Sequence, residues 1–149
     1  MKLIRRGQAL LDVGYSNEQV DKLPIWTWGA VRNEDDVQVY LVHQEDIGGA
    51  RHDGSQLVNL INRADREKRG HGYVHRMRMI DTYESMSTRA YAIPLVAKTN
   101  GKGETTYRAI EETIYRIVGL VRPDGVAIDA VIRPEPFAYS SIHRDRALT

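Results

Sequence analysis

The segment between Gly103 and Val121 carries apolar residues at helical spacing. These residues are Ile110, Ile114, Ile117, Val118 and Val121. Such spacing gathers apolar side chains on one face of an α-helix, and Glu111, Glu112 and Arg116 occupy the other faces. The pattern predicts one main amphipathic helix over residues 104–120.

Alternating apolar and polar residues predict β-strands elsewhere in the chain. One strand covers residues 126–132, and another covers residues 37–42, with Val37, Val39 and Leu41 on one face. Further strands are predicted at residues 25–28, 73–80 and 88–97. The last of these contains Pro94, which we expect at a sheet edge or a bulge because proline lacks an N–H donor.

Two short helices are predicted near the N-terminal end. Residues 3–13 show a weak helical pattern. Ser16 can then cap a second helix, with Gln19 reaching back from three residues later. A helix-turn-helix is disfavoured, because the second helix carries Glu18 and Asp21 where a DNA-reading helix would need Arg, Asn or Gln.

Two remaining segments are strongly polar. Residues 50–72 contain a densely charged stretch with both signs, which predicts a solvated loop or arm. Residues 133–149 begin with two nearby prolines and predict an extended tail. Together the elements indicate a single domain over residues 1–149 of the α+β class. We expect a mostly antiparallel sheet with one main amphipathic helix packed on one face, a short N-terminal helix and an extended C-terminal tail.

Composition narrows the possible function classes. The chain has 21 basic and 20 acidic residues and a formal net charge of +1, unlike the strongly basic balance of dedicated nucleic-acid-binding proteins. It has no cysteine, which excludes disulfides and thiolate catalysis. No apolar run approaches the roughly 20 residues of a membrane span, and no export signal is recognisable. We therefore expect a soluble protein.

Sequence motifs for catalysis or cofactor binding are absent. His71 and His75 are four residues apart, but on the predicted strand they would lie roughly 13 Å apart, too far to share a metal. Acidic residues cluster in predicted turns at positions 34–36 and 45–46. No nucleophile elbow, dinucleotide fingerprint or phosphate-binding loop occurs. The sequence predicts no enzyme, no cofactor and no metal site.

Two alternative functions stay open. Arg76, Arg78 and Arg89 form a candidate basic face on neighbouring predicted strands, and such a face binds nucleic acid through its phosphates. A small nuclease is the second alternative, with a site assembled from scattered residues such as Asp129 or Glu45.

The order of the predicted elements is a feature in its own right. An early short helix is followed by the strand 37–42, which runs into Gly48-Gly49, and then by the strand 91–97. The helix 104–120 comes next, and a Val-Ala-Ile-Asp-Ala-Val strand runs into a Pro-x-Pro-Phe tail. Over about residues 16–140, this order resembles the tail terminators, small neck proteins of long-tailed bacteriophages. The charged insertion at residues 50–72 and the extra strand at 73–80 depart from the simplest version.

The resemblance implies a structural virion protein without catalysis or cofactor. Tail terminators form a ring, usually a hexamer, that terminates the tail tube and joins it to the head connector, while DNA passes through without sequence-specific binding. The implied partners are copies of the chain, the tail tube protein and head–tail connector proteins, and the implied location is the virion neck after synthesis in the host cytoplasm. Ring interfaces are expected at an edge, an arm and a tail. The candidate interface residues are Arg63, Arg66, Arg69, Tyr73, Pro94, Pro134, Pro136, Phe137 and Tyr139.

Overall fold

A computed structural model describes residues 2–22, 29–31, 37–86, 88–136 and 139. The helices in the described ranges are α1 Arg6–Asp12, α2 Asn17–Asp21, α3 Arg63–Lys68 and α4 His71–Met86, with a 3₁₀ turn at Gln44–Asp46. The strands there are β1 Leu3–Arg5, β2 Gly29–Val31, β3 Gln38–His43, β4 Gln56–Ile61, β5 Ala90–Thr99, β6 Thr105–Ile110, β7 Tyr115–Val121 and β8 Ile128–Pro134. The predicted α+β class is confirmed.

Strand β5 lies at the centre of the eight-stranded sheet formed by the described strands. Strand β3 runs parallel to it along one edge, from residue 90 to residue 95. The other edge is shared by two antiparallel strands, with β6 opposite residues 95–99 and β7 opposite residues 91–92. Strands β6 and β7 are therefore consecutive halves of one long neighbour of β5. The turn between them holds Glu112 in the left-handed region at φ 52°.

The remaining strands extend the sheet outward. Strand β1 pairs with β6, β8 with β7, β4 with β8, and β2 with β3, all antiparallel. Only the β3–β5 pair is parallel among the described strands. The sheet is mostly antiparallel, as predicted.

Hydrophobic clusters cover both faces of the sheet, because side chains alternate along each strand. In β3, Val39 and Leu41 join Leu10 of α1 in one cluster. On the opposite face, Tyr40 and Val42 pack with the α4 residues Met79 and Ile80. Helix α4 is thus the main helix on one face, and the short N-terminal helices lie on the other. The predicted grouping of Val37, Val39 and Leu41 is confirmed.

Several local predictions are confirmed. Strands 37–42, 88–97 and 126–132 correspond to β3, β5 and β8, with ends shifted by up to two residues. Ser16 and Gln19 form the predicted capping box at α2, because each side chain accepts a hydrogen bond from the other residue's backbone N–H. The predicted strand at residues 25–28 lies outside the described residues, as does most of the predicted tail.

The predicted main helix over residues 104–120 is wrong. This segment forms β6 and β7, whose backbones are held by their ladders to β5, β1 and β8. The apolar residues do not form one helical stripe: Ile117 is buried, and its neighbour Val118 is 48% exposed. Strand pairing therefore overrides the helical spacing.

The predicted strand at 73–80 is also wrong, because these residues lie within α4. The helix buries Gly72, Arg76, Met79 and Ile80, a spacing of four, three and one that places them on a single helical face. Residues 50–72 are a loop only in part, since they contain β4 and α3. The apolar stretch before Asn62 pairs with β8 and is partly buried.

Pro94 was expected at a sheet edge or a bulge, and the edge alternative is wrong because β5 lies inside the sheet. Gln38 N–H donates to Arg89 O at 2.9 Å, so odd-numbered residues of β5 direct their backbone groups to β3. Pro94 therefore faces the opposite edge. There, the turn at residues 111–114 separates the ladders of β6 and β7. The missing N–H of Pro94 falls at that interruption and costs no ladder bond.

Candidate functional site

A cleft of about 390 Å³ opens between the C-terminal ends of β3 and β4. Polar side chains from several elements surround it. Its lining includes Arg6, His43, Asp46, Asn59, Asn62, Asp65, Arg76 and Tyr107, over an apolar wall of Leu41, Val42, Leu60 and Leu95.

Arg76 lies at the buried side of this cleft and is only 6% exposed. One terminal guanidinium nitrogen donates to the carbonyl of Leu60 in β4 at 3.0 Å, and the other donates to the carbonyl of Leu41 in β3. Both carbonyls belong to strands that do not pair with each other through a ladder in the described sheet. Arg76 therefore joins α4 to two separate strands and satisfies their outward-facing carbonyls.

The charge of Arg76 is balanced at longer range. Burial lowers the pKa of its guanidinium to about 10, while Tyr40, Asp65 and Asp46 act in the opposite direction. The side chain remains protonated at neutral pH and also lies over the Tyr40 ring, 5.9 Å from its centroid. Since both terminal nitrogens are committed to backbone carbonyls, Arg76 acts as a structural tie.

One carboxylate of the cleft lining, that of Asp65, has a structural role. Asp65 accepts a hydrogen bond from Asn62 N–H at 2.9 Å, which caps α3. Asp129, a residue of the nuclease alternative, accepts from the Asn59 amide at 2.9 Å. Glu45 lies exposed on the 3₁₀ turn. Within the described ranges, no three His, Cys, Asp or Glu side chains are grouped to hold a metal ion.

The β5–β6 hairpin extends beyond its neighbouring strands. Strand β3 reaches only to residue 95 of β5, and β1 covers only residues 108–110 of β6. From residue 97 to residue 107 the chain is exposed. Both outer edges of the hairpin are thus unpaired among the described residues. Odd-numbered residues of β5 direct their backbone groups away from β6, and their ladder partners in β6 direct theirs away from β5. The outward groups therefore belong to Ala97 and Thr99 and to their partners Tyr107 and Thr105.

The hairpin turn has a defined geometry. The Asn100 side-chain oxygen accepts from Lys102 N–H at 2.8 Å and from Glu104 N–H at 3.1 Å. Gly103 takes φ 79°, which a side chain would resist. At the base, the Tyr107 and His43 rings lie 5.0 Å apart. The hairpin is therefore held in shape from its turn to its base.

The arginines of the predicted arm come together around α3. Arg63, Arg66 and Arg69 line a shallow depression with Glu67 and Val126. Arg63 lies 3.9 Å from an Asp124 carboxylate oxygen, and Arg66 donates to Gly125 O at 3.4 Å. The arm is therefore a helix tied to the β7–β8 turn rather than a free loop.

The other predicted interface residues are scattered. Tyr73 is half-buried and packs against the α4-side core. Pro134 ends β8 and Pro136 is exposed, while Phe137 lies outside the described residues. Tyr139 is buried, with its hydroxyl donating to Ile110 O at 3.1 Å, and this contact places it in the fold of its own chain.

The three arginines of the predicted basic face, Arg76, Arg78 and Arg89, do not share one exposed surface. Arg76 and Arg78 lie on α4, where Arg76 is buried and Arg78 exposed. Arg89 precedes β5 at the other end of that helix and is half-buried. The alternation that suggested a shared face belongs to a strand, and residues two apart on a helix point about 200° apart. The prediction is wrong because the segment is helical.

An ion pair fastens the C-terminal end of α4 to the end of β7. Arg122 donates to both carboxylate oxygens of Glu84, at 3.0 and 2.5 Å. This hydrogen bonding lowers the pKa of Glu84 and raises that of Arg122.

We expect the Glu84–Arg122 pair to make stability depend on acid pH. Because the folded-state pKa of Glu84 is depressed, its contribution is fully present above the unfolded value of about 4.3 and is lost as pH falls through the folded value. The pair is largely exposed, so the contribution should stay below about 1 kcal/mol. Urea unfolding of Glu84→Gln between pH 7 and pH 3 should show a flatter decline than the wild type. Glu104→Gln, an exposed carboxylate on the hairpin, is the control, and an identical decline in both variants would contradict the assignment.

No helix in the described ranges is long and apolar enough to cross a membrane. No protein-family model matches the chain, no curated protein matches it, and no solved structure matches it.

Proposed function

We propose that this chain is a structural subunit that assembles with copies of itself, and that the assembly is a ring at the neck of a long-tailed bacteriophage. The observation that carries self-assembly is the β5–β6 hairpin, which projects beyond its neighbours with both outer edges unpaired among the described residues. Unpaired strand edges are templates for pairing with another chain.

The hairpin suits a head-to-tail contact. Its two edges differ, because one presents Ala97 and Thr99 and the other presents Thr105 and Tyr107. Tyr107 is 40% exposed and offers an apolar ring with a polar tip, a combination favoured at interfaces. A surface that contacts a different surface on the next copy builds a closed ring when the rotation between copies closes.

The assignment to a phage neck rests on the resemblance in element order. Strand β3 followed by Gly48-Gly49, strand β5, and strand β8 leading to the prolines are retained. The helix at residues 104–120, another part of that resemblance, is replaced by β6 and β7. In the proposed ring the partners are further copies, the tail tube protein and head–tail connector proteins, with DNA passing through the lumen and no cofactor or catalysis involved.

The test is the mass of the purified protein by light scattering across concentration. We expect the wild type to reach a discrete multiple of 17.0 kDa. Ala97→Pro should abolish or strongly weaken assembly, because proline removes the outward N–H donor while the inward bonds to β6 remain. Ala97→Ser keeps that donor and is the matched control.

Three results would separate the parts of this proposal. Equal assembly of Ala97→Pro and Ala97→Ser would contradict the role of the hairpin edge. A wild-type chain that stays at 17.0 kDa throughout would contradict self-assembly. Electron microscopy that shows closed rings supports the neck assignment, while open filaments or simple dimers would contradict it.

A further inference from the structure

Two shallow depressions lie outside the cleft between β3 and β4. One, of about 670 Å³, lies beside the C-terminal end of α4. The other, of about 320 Å³, lies where α3 meets the β7–β8 turn, and its lining is Arg63, Arg66, Glu67, Arg69 and Val126. The lining beside α3 is therefore made mostly of arginine.

These three arginines form a row along α3. Arg63 and Arg66 lie about one turn apart on the helix, and Arg69 follows as its C-cap in the left-handed region at φ 49°. All three side chains are exposed and line the same depression. At 1.5 Å per helical residue the row spans roughly 9 Å. We call it the α3 arginine row.

Hydrophobic packing does not account for the row, because no residue of α3 is buried. The helix is held by its capping box and by the contacts of Arg63 and Arg66 with the β7–β8 turn. The Arg66 contact is to a backbone carbonyl, which carries no net charge. Within the described residues, the Arg69 side chain has no hydrogen bond or ion pair. The row therefore presents charge to solvent.

The carboxylates beside the row do not balance it. Glu67 lines the depression, and an Asp124 carboxylate oxygen lies 3.9 Å from Arg63. Asp65, the other acid of α3, caps the helix and lines the β3–β4 cleft instead. Among the described residues at the depression, three guanidinium groups thus face two carboxylates, and the surface has an excess of positive charge.

We propose that the α3 arginine row binds the phosphates of a nucleic-acid backbone. A guanidinium group offers two parallel N–H donors that match the oxygens of a phosphate. A single phosphate ion cannot contact a row of roughly 9 Å along its whole length, whereas a nucleic acid repeats its charge at short intervals. Contacts to phosphate carry no sequence information directly, so the binding is independent of sequence.

An acidic protein surface fits the row less well. Protein interfaces are centred on a buried apolar or aromatic core. Among the described residues that line the depression, only Val126 is apolar. Non-specific binding of nucleic acid needs no such core, because its affinity comes from the phosphates.

This inference goes beyond the proposed function, which assigns no residue to a contact with DNA. It does not depend on assembly through the hairpin either, because α3 and the hairpin share no residue.

The test is a titration of short, fluorescein-labelled duplex DNA with the full chain, followed by fluorescence anisotropy at several salt concentrations. We expect a Kd of about 100 μM or tighter at low salt, equal for two unrelated sequences. The logarithm of the binding constant should fall against that of the salt concentration with a slope of about −2 to −3, as three phosphate contacts require.

Arg69→Gln should weaken DNA binding by about threefold or more and make the salt slope shallower by about 1. Arg78→Gln removes the same charge from α4, outside the depression, and is the matched control that should leave both quantities unchanged. Both arginines are exposed, so neither change should disturb the fold.

Polyglutamate as a competitor separates nucleic acid from an acidic protein. At equal total charge it should displace the labelled duplex much less than unlabelled duplex does. Equal displacement by the two polymers would overturn nucleic acid as the partner. Equal affinities and salt slopes for Arg69→Gln and Arg78→Gln would overturn the α3 arginine row as the site. A strong dependence on DNA sequence, or no measurable binding at low salt, would also overturn the proposal.

Discussion

Replacing Arg76 by methionine should destabilise the protein by about 3 kcal/mol or more. The guanidinium donates to the carbonyls of Leu41 and Leu60 in two different strands, and a hydrogen bond from a charged donor contributes about 1.5–3 kcal/mol. Methionine fills most of the volume but leaves both carbonyls without this donor. Urea unfolding monitored by circular dichroism gives the change directly.

Two comparisons make the Arg76 result specific. Arg78→Met, two residues along the same helix but exposed, should change stability by no more than about 0.5 kcal/mol. Arg76→Lys keeps the charge, yet one ammonium group cannot span two carbonyls as a guanidinium does. We expect the lysine variant to recover less than half of the loss.

The opposite outcome has a physical meaning as well. Burying a charged group carries a desolvation cost, and apolar replacement of buried charged groups is neutral or stabilising in some proteins. A stable Arg76→Met variant would show that this cost exceeds the two hydrogen bonds. It would then contradict the assignment of Arg76 as the tie between β3 and β4.

The predictions that were confirmed depend on interactions between residues close together in the sequence. Strand β3 was predictable because Val37, Val39 and Leu41 recur at every second position. They share one face of the strand, and the residues between them are buried on the opposite face. The capping box of Ser16 and Gln19 was predictable because its hydrogen bonds span only three residues. Signals of this kind depend on neighbours in the chain and not on tertiary pairing.

The helix prediction for residues 104–120 was wrong because the spacing of its apolar residues fits both a helix and a pair of strands. Apolar residues three and four apart suggest a helix, but a turn at residues 111–114 splits the run into two strands. A register irregularity between Ile117 and Gly119 disturbs the alternation further. A contrary signal was present, since the segment is rich in β-branched residues, which favour strands: Thr105, Thr106, Ile110, Thr113, Ile114, Ile117 and Val118.

The candidate surfaces were harder to predict than the fold class. Asn100 and Gly103 are residues that favour turns, but whether the hairpin projects depends on where β3 and β1 end beside it. The depression beside the C-terminal end of α4 joins residues from α4, from the segment before β5 and from β7, which lie more than 30 positions apart at its extremes. Neither surface has a sequence motif, because each arises from strand registers.

The strand prediction for residues 73–80 was wrong because the segment is a helix whose core-facing side contains a buried arginine. Arginine is rarely fully buried, so Arg76 counted as a polar position and broke the apolar stripe of α4. What remained was an apparent alternation in which Val74, Arg76, Arg78 and Ile80 shared one face. The helix places Val74 and Ile80 about 240° apart instead.

Truncating Ile80 and Val74 separates these two structures experimentally. Ile80 is fully buried in the α4-side core, and Val74 is 40% exposed. Ile80→Ala should cost about 2–5 kcal/mol through lost burial and the cavity left behind. Val74→Ala should change stability by no more than about 0.5 kcal/mol, since the site is largely solvated and alanine favours a helix. Urea unfolding of both variants gives the comparison. Similar losses in the two variants are the result expected of a strand that places both residues on one face, and they would contradict α4 as the helix that covers the sheet.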